Sequence, residues 1–174
     1  YAPNDGQALY QFLRDKGYNQ QELDASGLFK RSPSGRIYCL FWKRVMTPIF
    51  DLRGNIIAFG GRVLDDSKPK YVNSPETLVY HKSETVFAMQ IAKRSASRRF
   101  VLCEGYMDVI ALHQAGFDSA VASLGTSLTE EQARIIARHT ERIVISYDAD
   151  GAGQSAAQRA IDILKRCDLQ VKVL

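Results

Sequence analysis

The sequence predicts an α/β protein: a parallel sheet flanked by helices, preceded by a smaller basic α+β subdomain. Three observations point there. From residue 100 onward, short apolar runs alternate with amphipathic stretches of roughly a dozen residues, the rhythm of strands joined by crossover helices. Between Arg36 and Arg62 the pattern is β-branched and aromatic, broken by turn residues. The charge is also divided: residues 1–29 carry 2 basic and 4 acidic groups, residues 30–99 carry 14 and 5, and residues 100–174 carry 7 and 10.

In chain order, Gln7 to Lys16 sets Leu9, Phe12 and Leu13 on one face behind possible caps at Asn4 and Asp5, predicting a short amphipathic helix. Gln20 to Ser26 is a weaker second helix. Ile37–Leu40, Val45–Phe50 and Ile56–Phe59 are expected strands of an antiparallel meander. Asp51–Asn55 forms the hairpin connection, with Gly54 available for positive φ, and Pro48 suggests an edge or bulge. The polar, turn-rich stretch Lys70–Thr77 reads as an exposed loop, and Ser83 to about Lys93 as a helix. Trp42 and the apolar helix faces are assigned to the core.

The last 75 residues read as strand Phe100–Cys103, helix Met107–Ala115, strand Ala120–Ser123, helix Thr129–His139, strand Ile143–Tyr147, helix Gln154–Cys167 and strand Val171–Leu174. Thr129 with Gln132 three residues on has the capping-box spacing. Ligands of such a sheet gather at the carboxyl ends of its strands. The expected division is 1–81 for the basic subdomain and 82–174 for the sheet.

With 174 residues, 45% hydrophobic, and a net charge of +4, the chain has ordinary globular composition and length for a core without staples. No apolar run approaches the roughly 20 residues of a membrane helix, and no signal peptide is recognisable at Tyr1–Asp5; the opening is expected to be cut from a longer chain. Cys39, Cys103 and Cys167 are odd in number and widely spaced, fitting neither a disulfide framework nor a zinc site, so a cytoplasmic setting is expected. The excess of nine positive charges over residues 30–99 suits a polyphosphate-binding surface; a solvated basic face is the plainer alternative.

Carboxylates stand where the sheet should place ligands. Glu104 follows the strand Phe100–Cys103, and Asp108 lies four residues on. Asp148 and Asp150 follow Ile143–Tyr147, with Gly151 and Gly153 behind them. In an extended loop residues i and i+2 point the same way, so the two aspartates can converge where Glu104 approaches from a neighbouring strand. A hard divalent cation, Mg²⁺ or Mn²⁺, would relieve their repulsion. Alternatively, Glu104 pairs with a base and the aspartates cap the following helix. A calcium loop is excluded by Ala152 and Arg159 at the fifth and twelfth positions. A dinucleotide fingerprint at Gly151–Ala156 is opposed by two aspartates facing the pyrophosphate, and no Walker phosphate loop occurs.

Glu104–Gly105–Tyr106–Met107–Asp108–Val109, Ser123–Leu124–Gly125–Thr126 and Tyr147–Asp148–Ala149–Asp150–Gly151–Ala152–Gly153 together resemble the Toprim module of primases, type IA and type II topoisomerases, some nucleases and recombination mediators. Arg44–Ile49, Phe59–Arg62, Pro69–Thr77 and His81–Lys82 resemble the catalytic core of bacterial replicative, DnaG-type primases, in the same order along nearly the whole chain. The resemblance implies synthesis of short RNA primers from ribonucleoside triphosphates on a single-stranded DNA template, by metal-assisted nucleotidyl transfer. It implies catalytic roles for Glu104, Asp148 and Asp150, and Mg²⁺ or Mn²⁺ held by these three with Asp108. Arg62, Lys70, Tyr71, Asn73 and Lys82 match motif positions that grip template and nucleotide, with Arg44 as a weaker member.

Two substitutions depart from the family pattern mildly, Ala149 for Gly and Thr47 for Phe. The chain also stops before an Asp-Pro-Asp segment that usually follows the last Toprim strand, so a truncated, weak or inactive catalytic unit is expected by itself. Zinc belongs to a domain this chain lacks. Replicative helicase and single-strand-binding protein are expected partners of the full-length protein through its missing regions, in the bacterial replisome. A Toprim nuclease or topoisomerase and a non-catalytic Toprim binding module are the competing readings. His113 and His139 are expected to be structural, and His81 to support Lys82.

Overall fold

The computed structural model describes residues 1–125 and 127–174; Thr126, the last residue of one Toprim motif, lies outside the described residues. The chain divides into two units, residues 1–49 with 56–81 and residues 50–55 with 82–174. Among the described residues no helix is long and apolar enough to cross a membrane.

The first unit opens with α1 (Ala8–Asp15) and α2 (Gln20–Ala25). α2, the weaker of the two in periodicity, is the better capped. The Asn19 side chain accepts from the Glu22 amide at 3.0 Å, and the Glu22 carboxylate accepts from the Asn19 amide at 2.7 Å. α1 departs from expectation, since none of its residues is buried and Phe12 is 56% exposed. Two short antiparallel strands follow, β1 (Phe29–Arg31) and β2 (Ile37–Cys39). β1 is too short for its pattern to be seen without the partner.

A three-stranded sheet has the order β3 (Val45–Phe50), β4 (Ile56–Arg62), β5 (Tyr71–Asn73). The 51–55 turn is held by the Asp51 carboxylate, which accepts from the Arg53 and Asn55 amides and the Asn55 side chain. β5 corrects the reading of Lys70–Thr77 as an exposed loop. Tyr71, Val72 and Asn73 pair antiparallel with Arg62, Gly61 and Gly60, so β4 runs on through its two glycines. Leu23, Phe41, Ile49, Ala58 and Tyr80 make the buried centre of this unit. Trp42 is not among them: Phe41 fills the interior and its neighbour is 46% exposed.

In the second unit, four strands have the order β7 (Ala120–Ala122), β6 (Arg99–Cys103), β8 (Arg142–Ser146), β9 (Gln170–Val173), all pairs parallel. The crossovers are α4 (Tyr106–Gln114), α5 (Glu130–Ala137) and α6 (Gly151–Arg166). Phe100, Leu102, Ile143 and Ile145 are almost wholly buried, as strands covered on both faces require. α6 buries Gly153, Ala157, Ala160 and Leu164, a stripe at helical spacing.

The helix expected over Ser83–Lys93 is interrupted. A 3₁₀ turn (Lys82–Glu84) and a single helical turn, α3 (Met89–Ala92), flank an extended piece whose Phe87 bridges to Ala122 at the β7 edge. Four consecutive residues, Val86 to Met89, are buried there, which a one-faced helix cannot achieve, and Ala88 turns the chain at φ 62°. Gln132, fully buried on α5, holds this piece by donating to the carbonyls of Lys82 (2.8 Å) and Thr85 (2.9 Å).

Candidate functional site

Two groups of expected site residues come together, one in each unit. In the second unit, β6 and β8 are adjacent and in register, with Cys103 opposite Ser146. The chain therefore leaves both strands at one edge of the sheet, and Glu104 and Asp148 emerge side by side. Glu104 Oε2 accepts from the Asp148 amide at 3.3 Å, tying the two strand ends. Asp150 caps α6, its Oδ1 accepting from the Gly153 amide at 2.7 Å. This starts α6 at Gly151, three residues earlier than its apolar pattern suggests. Asp108 accepts from the Gly105 amide at 3.1 Å at the start of α4.

The capping alternative holds for Asp150, and Asp108 does the same for α4: each commits one oxygen to a helix start. All four acidic side chains are exposed. Among the described residues no three His, Cys, Asp or Glu side chains stand close enough to share a metal ion. Burial, with Asp108 nearby, pushes the Cys103 thiol up to about 12, and burial followed by the Glu104 charge pushes Tyr147 up to about 12, so both stay neutral. The donor set is all carboxylate oxygen, which fits a hard divalent cation.

Gly153 matters here for its missing side chain. A Cβ at this position would stand 2.1 Å from the Asp148 carbonyl oxygen, so the helix start can approach the aspartate loop only as glycine.

In the first unit, β4 and β5 set Arg62 directly across from Tyr71. The Arg62 guanidinium lies 5.6 Å and the Lys70 ammonium 5.8 Å from the centre of the Tyr71 ring, two cations over one half-exposed aromatic. Asn73, two residues along the same strand, shares that face, and its buried Oδ1 and the Arg62 Nε have no hydrogen-bond partner. Lys82 belongs to the second unit, in the 3₁₀ turn held by Gln132. The His81 ring stands 3.1 Å from the Glu76 carboxylate, and His113 hydrogen-bonds the Ala120 carbonyl.

Arg44 has a different role from its motif neighbours. It is 5% exposed, and its guanidinium donates to the carbonyls of Pro69 (2.8 Å) and Lys70 (3.2 Å). It positions the segment that carries Lys70 and Tyr71, and Gly61 leaves room for it: a Cβ there would meet Arg44 at 3.0 Å and the Phe41 ring at 2.9 Å. Arg44→Met should cost about 2 kcal/mol, because two carbonyls lose a charged donor. A melting temperature equal to that of the parent would show that Arg44 does not anchor this segment. The residues sequence reasoning passed over are Gln132 and Gly61. Gln132 had a signal in its capping-box position and Gly61 in its place within the Phe59–Arg62 motif, but neither signal disclosed the role, which depends on distant partners.

Comparison with known proteins identifies the family. Residues 1–93 match the family described as DNA primase catalytic core, N-terminal domain, and residues 101–174 match the Toprim-like family. The DNA primase of Clostridium acetobutylicum is 45% identical over 175 residues, an alignment covering all of this chain and 29% of that protein. The E. coli primase catalytic core superposes with a TM-score of 0.90 at 38% identity, over 99% of this chain and 56% of that one. A DnaG primase catalytic domain bound to single-stranded DNA gives 0.89 at 37% identity, over 100% and 56%. The chain spans less than a third of the length of the curated relatives it matches. Since the first family match alone covers more than half of the chain, and the parallel sheet with its acidic edge occupies the remainder, the protein belongs to the DNA primase family and carries a Toprim-type fold in its second unit.

Proposed function

We propose that this chain performs the central chemistry of a primase: template-directed joining of ribonucleoside triphosphates into short RNA primers on single-stranded DNA. The observation that carries this reading is the acidic edge, where Glu104 and the Asp148–Asp150 loop leave neighbouring parallel strands together. Residues 82–174 would be the catalytic subdomain and residues 1–81 the subdomain that binds template and nucleotide. Glu104, Asp148 and Asp150, with Asp108 beside them, would hold Mg²⁺ or Mn²⁺. When bound, the cation neutralises triphosphate charge and makes the 3′-hydroxyl a better nucleophile.

The chain's own residues do the rest. Arg62 and Lys70 offer cations to phosphate oxygens, Tyr71 offers a stacking face worth roughly 1 to 3 kcal/mol per base, and Asn73 offers the N–H donors of its side-chain amide. Lys82 adds a further cation for nucleotide or template. Arg44 acts from behind, by holding Lys70 and Tyr71 in place. A primase catalytic domain 37% identical to this chain has been solved with single-stranded DNA bound, which supports the same ligand here.

The test is ribonucleotide incorporation on single-stranded DNA, measured in a protein carrying this chain with the further segments its relatives possess. Incorporation that depends on template and on Mg²⁺ is expected; none under any metal would overturn the reading. Binding to single-stranded DNA should weaken steeply with salt, and Lys70→Ala should reduce the slope of log affinity against log salt by about one phosphate contact. An unchanged slope would remove Lys70 from the template surface.

A further inference from the structure

The acidic edge of the second unit has a basic counterpart at the other end of the same strands. β6 opens on Arg99 and β8 on Arg142, which the parallel register sets side by side. A cavity of about 380 Å³ opens at this end, lined by Arg98 and residues 137–142. Strands of five residues put it roughly 15 Å from the carboxylates.

Thr140 is the floor of the cavity. It is 7% exposed, and its hydroxyl stands 2.8 Å from the Arg98 carbonyl and 3.0 Å from the Arg142 carbonyl, sharing its one proton between them, and accepts from the Arg142 amide (3.3 Å). The backbones carrying two of the three arginines are thereby fixed to each other, and Arg138 follows the end of α5 beside them. Two arginines of this unit have carboxylate partners, Arg134 with Glu130 and Glu131 and Arg166 with Glu130, and neither lines this cavity. Among the described residues, Arg98, Arg138 and Arg142 have no ion pair, although Glu141 lines the same cavity.

Arg98, Arg138 and Arg142 all line this one concavity, and like charges set so near one another repel unless an anion joins them. The end of α5 also lies here, and its terminal carbonyls oppose an anion with about half a charge. Together with Glu141 that leaves a clear positive excess. His139 is depressed below its ordinary value by burial first, then by Lys93 and Arg138, so it stays neutral near pH 7 and the positive excess rests on the arginines alone. Planar guanidinium forks match phosphate oxygens in pairs.

We infer that this edge is a second oxyanion site, binding phosphate groups of a free polyphosphate or of a nucleic-acid strand through Arg98, Arg138 and Arg142. The ligands to use are inorganic tripolyphosphate and a short oligothymidylate, followed by calorimetric titration and amide chemical-shift mapping. Tripolyphosphate should shift the amides of residues 98–99 and 138–142, and the double variant Arg138→Gln, Arg142→Gln should bind it roughly tenfold more weakly at that site. If the oligonucleotide shifts the same amides and the double variant loses about two from its salt slope, a nucleic-acid backbone uses the site. A response to tripolyphosphate alone assigns it to free polyphosphates. Shifts from neither ligand at residues 138–142, or unchanged affinity in a folded double variant, would overturn the inference. Should the variant fail to fold, the map on the unsubstituted protein decides. Because the readout is binding, a failure of primer synthesis would leave this outcome untouched.

Discussion

In a protein carrying this chain with the further segments its relatives possess, Glu104→Gln should reduce primer synthesis by more than about a hundredfold, while the fold remains intact. Even residues that only support a metal's ligands typically cost roughly 10- to 100-fold when replaced, and Glu104 would be a ligand itself. Gln keeps the volume and keeps an oxygen that can accept the Asp148 amide now bound at 3.3 Å. Only the charge is removed. Without metal the remaining carboxylates repel less, so the melting temperature should stay within about 2 °C of the parent or rise slightly. Asp148→Asn should behave alike, since no hydrogen bond within the described structure engages its carboxylate. Asp150→Asn should also lose activity, but it tests the α6 cap as well. Synthesis by the Glu104 variant at the parent rate would remove this residue from the catalytic set.

Gly153→Ala should damage both stability and activity, by a route no ligand argument supplies. The new methyl would stand 2.1 Å from the Asp148 carbonyl oxygen and 3.0 Å from its carbon, and both are backbone atoms that cannot swing away. Either α6 shifts or the 148–150 loop does. The expected cost is about 3 kcal/mol, at the upper end of what overpacking a tight site produces, or roughly 6 to 12 °C in melting temperature for a chain of this size. The carboxylates of Asp148 and Asp150 move with the loop, so synthesis should fall even where the variant folds. Gly151→Ala is the matched control. A Cβ there meets nothing within 4 Å, and alanine favours helix over glycine, so its stability should be unchanged or slightly raised. Equal melting curves for the two variants would show that the loop gives way freely.

The α/β architecture of the second unit was legible in the sequence because its signals are local. A strand covered on both faces reads as a short apolar run, a crossover helix as a 3.6-residue stripe, and Thr129 with Gln132 marks a helix start within four residues. The carboxylates could be placed at strand ends for the same reason, since Glu104 and Asp148 directly follow the runs that form β6 and β8. Tertiary structure alone decided what depends on partners distant in sequence. Tyr71–Asn73 is a strand because Gly60–Arg62 lies alongside it, and Ser83–Lys93 breaks because Phe87 finds the edge of β7. Arg44 is buried because two carbonyls some 25 residues onward accept its protons. Trp42 lies outside because Phe41 fills the core first. Propensity and periodicity are properties of a few consecutive residues, whereas a hydrogen-bond partner or a place in the core is shared between segments, and only the folded chain determines which segments meet.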